Sequence, residues 1–132
     1  MRHPFLGTIC VAGLALLGAC AGTGDESVER AIQNVNALDE ANLSDIMLTV
    51  ADPNEGVAYF QRTLGDNPDR IDLQRGLAVS YVRARRFTEA VPAWSRVVRH
   101  KDSTNTDKVD LADAQIRAGK WKEAEKTLDT IP

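Results

Sequence analysis

Two hydrophobic patterns divide the chain. From Phe5 to Leu17 the residues are mostly apolar, an almost unbroken run of 13. Beyond about Ser27 apolar residues recur instead at helical spacing. Leu77, Tyr81 and Ala84 share one helical face, and after a break at Arg85-Arg86 the residues Ala90, Trp94, Val97 and Val98 share another. Such three- and four-residue steps predict amphipathic helices in pairs. Boundary residues agree: Asp52-Pro53 and Asn67-Pro68 each place a capping side chain before a proline at a predicted first helical position. Gly119 suits the left-handed residue that ends a helix. Pro92 is dissonant, and is accommodated if Thr88 caps the second helix of its pair, so that the ring falls near the first turn.

The N-terminal apolar run is too short to cross a bilayer core of roughly 30 Å at about 1.5 Å per residue, but it suits the apolar centre of a signal peptide. A short basic start, Met1-Arg2-His3, precedes it, and Leu17-Gly18-Ala19-Cys20 ends it. That tetrapeptide resembles the bacterial lipobox, in which small residues let the peptidase take the backbone extended and the Cys thiolate accepts the lipid. The resemblance implies a signal peptide at 1–19, cleavage before Cys20, and lipidation of Cys20. Acyl chains contribute about 0.8 kcal/mol per buried methylene and hold a protein to a membrane. By analogy with enterobacterial lipoproteins, Ala21 rather than Asp after the Cys implies the outer membrane, facing the periplasm. Residues 20–26 then read as lipidated Cys and flexible tether, and 27–36 as an N-terminal helical segment.

A 34-residue shift of the chain against itself aligns Leu77-Ala78 with Leu111-Ala112, Arg83-Ala84 with Arg117-Ala118 and Glu89-Ala90 with Glu123-Ala124. Like residues extend the match: Val82 with Ile116, Phe87 with Trp121, Trp94 with Leu128 and Val97 with Ile131. One more step back aligns Leu43-Ser44, Gly56 and Phe60 with Leu77-Ala78, Ala90 and Trp94. Three units follow, at 37–70, 71–104 and 105–132, each a helix–turn–helix. The predicted fold class is all-α, a solenoid of helical hairpins.

The period and its marked positions resemble the tetratricopeptide repeat. Leu77, Ala78, Tyr81, Ala90 and Trp94 match it in the second unit, and Pro68 matches the proline that closes the first. The third unit keeps Leu111, Ala112, Ala124 and Leu128 but has Gln115 in the Tyr slot. The first is the most degenerate, with Ser44, Met47 and Gly56 in the small, Tyr and Ala slots. Small residues are needed where paired helices approach most closely. Trp94, Trp121 and Tyr81 read as packing residues. The array is expected to continue beyond Pro132, since Leu128 and Ile131 lack the polar capping helix that repeat arrays use.

The resemblance implies a groove lined by the first helix of each unit. Its residues would be Asp45, Leu48, Asp72, Arg75, Val79, Val82, Arg83, Asp113, Ile116 and Arg117. An apolar strip flanked by arginines would seat an extended or helical peptide, with the guanidinium groups forking onto its carboxylates. It does not resemble the family's clamp for chaperone tails, because Ala41 and Asp45 stand where that clamp has Lys and Asn.

Charge adds one asymmetry. Residues 25–69 hold ten acids and two bases, 70–101 eight bases and two acids, and 102–132 seven acids and five bases. The polarity would serve matching between neighbouring units, docking of an acidic partner, or a solvated face. A formal charge of −3 gives no basis for nucleic-acid binding. Chemistry has little material. Cys10, Cys20 and His3 all precede residue 21, leaving His100 as the remaining imidazole, which reads as a helix-end residue rather than a base oriented by Asp102. Asp110 and Asp113 are helix-surface neighbours without the ligands of a metal site. No enzyme, cofactor, metal or small-molecule substrate is expected. The combination most resembles lipoproteins of Flp/Tad-type pilus assembly, which implies a membrane-anchored periplasmic scaffold for envelope proteins. An adaptor in outer-membrane protein assembly, or in peptidoglycan and division machinery, is the alternative.

Overall fold

The structure, a computed structural model, describes residues 25–132. The expected signal peptide and Cys20 lie outside these residues. Six helices make up the described chain: α1 (Asp25–Thr49), α2 (Pro53–Asp66), α3 (Ile71–Arg83), α4 (Phe87–Val98), α5 (Asn105–Arg117) and α6 (Trp121–Leu128). The chain divides into two units at Leu38–Asp39. Of the first, the described part is the helical stretch 25–38, in which Ile32, Val35 and Leu38 are exposed. The boundary expected between residues 36 and 37 falls inside α1, which runs through it without a break.

The second unit carries the period seen in the sequence. Its first helices end at Thr49, Arg83 and Arg117, and its second helices begin at Pro53, Phe87 and Trp121, both series advancing by the same 34-residue step. Helices pack in chain order, α2 on α3, α3 on α4, α4 on α5 and α5 on α6, an arrangement consistent with a helical solenoid. Two apolar clusters hold it. Tyr59, Phe60, Leu64 and Leu73 form one, with Met47 and Leu48 packed against it. Val57, Ala78, Tyr81, Ala90, Val91, Trp94, Val97, Leu111 and Ala114 form the larger one across α2 to α5. Of the slots that called for small residues, Ala78, Ala90, Ala112, Ala124 and Gly56 are buried and Ser44 is half-buried. A Cβ on Gly56 would stand 2.9 Å from Ser80 Oγ and 3.0 Å from the Met47 carbonyl, so glycine permits that approach. Gly76 is tighter, because a Cβ there would lie 2.4 Å from the Phe60 ring.

The helix ends show which boundary readings hold. Asp52 Oδ1 accepts from the Asn54 N–H at 2.9 Å with Pro53 at the first helical position. Gly119 adopts φ 76°, and the Gly119 and Lys120 N–H groups donate to Ile116 and Gln115 at 2.9 and 2.8 Å, closing α5 in a Schellman motif. Asn67-Pro68 does not start α3. Asn67 is the C-cap of α2, Pro68 and Asp69 form a turn, and α3 starts at Ile71 behind Arg70. Thr88 does not cap α4 either, which starts at Phe87 behind Arg86. Pro92 therefore sits inside the helix, on its exposed side, and the Thr88 carbonyl loses the donor it would have had. Burial of Trp94 and Tyr81 agrees with their reading as packing residues, whereas Trp121 is 65% exposed. Phe87, at the equivalent place one unit earlier, has the Arg117 guanidinium 5.8 Å above its ring. No such contact covers Trp121 among the described residues.

Candidate binding face on the first helices

Contacts at both ends line up the first helices of the second unit. Glu40 on α1 meets Arg70, just before α3, at 2.7 Å. Near the other end Arg83 donates to the Met47 and Ala51 carbonyls at 3.0 and 3.2 Å. The two helices therefore run side by side in the same direction. Arg75 on α3 forks onto Asp107 of α5 at 2.7 and 2.8 Å, and Arg117 at the end of α5 reaches Phe87, just past the end of α3. The same parallel relation thus holds between α3 and α5.

Leu48, Val79 and Val82 are half-buried and Ile116 is 37% exposed. Val79 and Val82 pack their inner sides on the larger core, Leu48 on the smaller. Asp45 and Asp72 are exposed and Asp113 is half-buried. Helical spacing places these positions on one face of each first helix.

The arginines expected on that face are held within the chain. Arg75 binds both oxygens of Asp107 and also the Asp102 carbonyl at 3.3 Å. Asp107 is itself nearly fully buried, with a side chain 4% exposed. The Arg75 guanidinium holds its carboxyl below the usual range, against the opposing effect of burial, and bonds from Thr104 assist. Asp107 also closes a capping box: its carboxylate accepts from the Thr104 N–H at 2.7 Å, while Thr104 Oγ1 accepts from the Asp107 N–H at 3.4 Å. Arg83 is occupied by the two carbonyls at the end of α1, where the helix dipole favours a cation. Arg117 pairs with Asp113 at 2.7 Å.

These contacts also account for much of the basic middle segment. Arg70 is shared between Glu40 and Asp72, whose carboxyl it draws below the usual range. Arg96 donates to the Pro68 carbonyl at 2.9 Å. Matching between neighbouring units, one of the three readings of the charge asymmetry, is thus a physical role of Arg70, Arg75, Arg83 and Arg96. The sequence reading missed Asp107, although Thr104-Asn105-Thr106-Asp107 carries the capping-box spacing. It also missed that acceptors on neighbouring hairpins, far along the chain, occupy the arginines.

His100 links two loops. Its Nδ1 accepts the Asp102 N–H at 3.1 Å, so Nε2 bears the proton and donates to the Asp69 carbonyl at 3.0 Å. The Asp102 carboxylate stands 3.7 Å from Nδ1. Among the described residues no group of three or more His, Cys, Asp or Glu could hold a metal ion, and no helix is long and apolar enough to cross a membrane. No protein-family model matches the chain, and neither the curated proteins nor the solved structures contain a match.

Proposed function

We propose that this chain is a tetratricopeptide-type scaffold that takes a segment of a partner protein on the face of α1, α3 and α5. One observation carries the reading: parallel first helices at a 34-residue period leave Leu48, Val79, Val82 and Ile116 incompletely covered along one side. Apolar surface of that kind is stabilised at roughly 25 cal/mol per Å² when a partner removes it from water, and the rigid helices beneath it lose little order on binding. The lipobox-like Leu17-Gly18-Ala19-Cys20 supports export and a lipid anchor at Cys20, and with it a place on the periplasmic side of the outer membrane. Within that setting, Flp/Tad-type pilus assembly is the process the sequence resembles.

A photo-crosslinking residue at Val79 or Ile116, in cells of the native organism, tests the scaffold role. Recovery of one discrete envelope protein from both positions is the expected result, and its identity separates pilus assembly from outer-membrane protein assembly or division. Crosslinks scattered over abundant proteins would refute it. Cys20→Ala should release the protein from membranes, and an unchanged distribution would refute the anchor.

A further inference from the structure

The arginines of the binding face are expected from sequence to fork onto the carboxylates of a partner, and their geometry argues for the opposite preference. In the second unit, the first helices hold seven acids (Asp39, Glu40, Asp45, Asp72, Asp107, Asp110 and Asp113) against four bases, Arg75, Arg83, Lys108 and Arg117. All four bases are engaged inside the chain: Arg75 with Asp107, Arg83 with the Met47 and Ala51 carbonyls, Lys108 with the Thr130 carbonyl at 3.1 Å, and Arg117 with Asp113. A carboxylate arriving from outside meets bases whose charge is already shared with an intramolecular acceptor, at Arg75 the buried Asp107 and at Arg117 Asp113.

The acids are not matched in the same way. Asp45 is exposed, one turn before Leu48 on α1, and its carboxylate has no ion pair or side-chain hydrogen bond among the described residues. Asp110, one turn before Asp113 on α5, likewise has none, and burial together with Asp107 and Asp113 pushes its carboxyl above the usual range. Glu40 and Asp72 share the single guanidinium of Arg70. The field over the face is therefore negative where it is unbalanced.

We infer that the face formed by Leu48, Val79, Val82 and Ile116, flanked by Asp45, selects a partner segment that is apolar on one side and basic beside it. The inference rests on the binding-face reading above and names the chemistry of its occupant. A basic flank on the partner meets Asp45 without breaking a bond already made, whereas an acidic flank meets like charge and bases already drawn to intramolecular acceptors. Electrostatic matching of this kind sets which partner is chosen more than how tightly any apolar segment is held.

Two peptides test it against the full chain: leucines at i, i+3, i+4 and i+7 with lysine elsewhere, and the same leucines with glutamate elsewhere. Titration at low salt should show the lysine peptide binding about tenfold tighter, a preference that shrinks as salt is added. Asp45→Lys, an exposed position, should remove most of that preference, and Ile116→Glu should weaken the leucine–glutamate peptide further. Equal binding, or tighter binding of the glutamate peptide, would overturn the inference and leave the binding face standing. Binding of neither peptide, or lysine-peptide binding unaffected by either substitution, would overturn the binding face itself and the inference with it.

Discussion

The second and third hairpins, α3–α4 and α5–α6, follow one pattern a single repeat apart and yet reach different degrees of burial. Trp94 is 4% exposed, whereas Leu128 at the equivalent step is 43% exposed. Phe87 lies beneath Arg117, whereas Trp121 is open to solvent. At the turn between the two helices of each hairpin, Arg85 takes the left-handed conformation, φ 58°, that Gly119 takes at 76°. Both turns close with the same pair of backbone bonds, since the Arg85 and Arg86 N–H groups donate to Val82 and Tyr81 at 3.0 and 2.9 Å. A residue's burial in such an array is thus decided less by its own hairpin than by the helix packed next to it. Local turn geometry, in contrast, is decided within the hairpin, and the same turn forms with or without glycine.

Four tests would break or sharpen this comparison. Trp94→Ala empties a site between α3, α4 and α5 and should cost about 4 kcal/mol, while Leu128→Ala should cost under about 1 kcal/mol. Urea denaturation of the two variants measures the gap, and equal losses would mean the hairpins are covered alike. Asp107→Asn breaks the buried bond that ties α3 to α5 and should cost about 3 kcal/mol at neutral pH. Because Arg75 draws the folded carboxyl below its unfolded value, the stabilisation is present above that unfolded value. It is lost as pH falls through the folded value, so the variant's deficit should shrink in acid.

Arg85→Gly relieves a left-handed non-glycine residue and should stabilise by about 1 kcal/mol, while Gly119→Arg should destabilise by about the same amount. Opposite shifts in melting temperature would establish that the two turns are interchangeable. The smallest effect belongs to Asp110→Asn. Burial, with Asp107 and Asp113, raises the folded carboxyl above its ordinary value, so the ionised group weakens the fold above that pH. The amide should stabilise by under about 1 kcal/mol at neutral pH, and the gain should fade once the wild-type carboxyl is protonated in both states.

Features carried by one short stretch of chain were legible beforehand. The Asp52-Pro53 start of α2 and the Gly119 cap each depend on residues within a few positions of one another, the 34-residue step on the same short pattern returning along the chain, and each appears in the structure. Helical periodicity also places Leu48, Val79, Val82 and Ile116 each on one side of its helix. The break at Arg85-Arg86 was legible, but the left-handed conformation of Arg85 was not, since its penalty of about 1–2 kcal/mol is small enough for neighbouring packing to override. Asn67-Pro68 misled because one pair of residues can end a helix as readily as begin one, and the Gln74 and Arg96 side chains both fix the Pro68 carbonyl in a turn instead. The engagement of Arg75 and Arg83 could not be read at all. Their acceptors, Asp107 and the Met47 carbonyl, belong to other hairpins and come within reach only once neighbouring hairpins stack.

Several of those long-range bonds end on main-chain oxygens. Arg83 holds the carbonyls of Met47 and Ala51, Arg96 that of Pro68, and His100 that of Asp69. A carbonyl is supplied by any amino acid, proline included. The receiving hairpin can therefore change its side chains at these positions over evolutionary time without loosening its grip on the next. The donor carries all of the sequence constraint and the acceptor almost none. It gives engineers a rule for grafting: keep Arg83, Arg96 and His100, and the unit that precedes them can be rewritten freely where only its backbone is held.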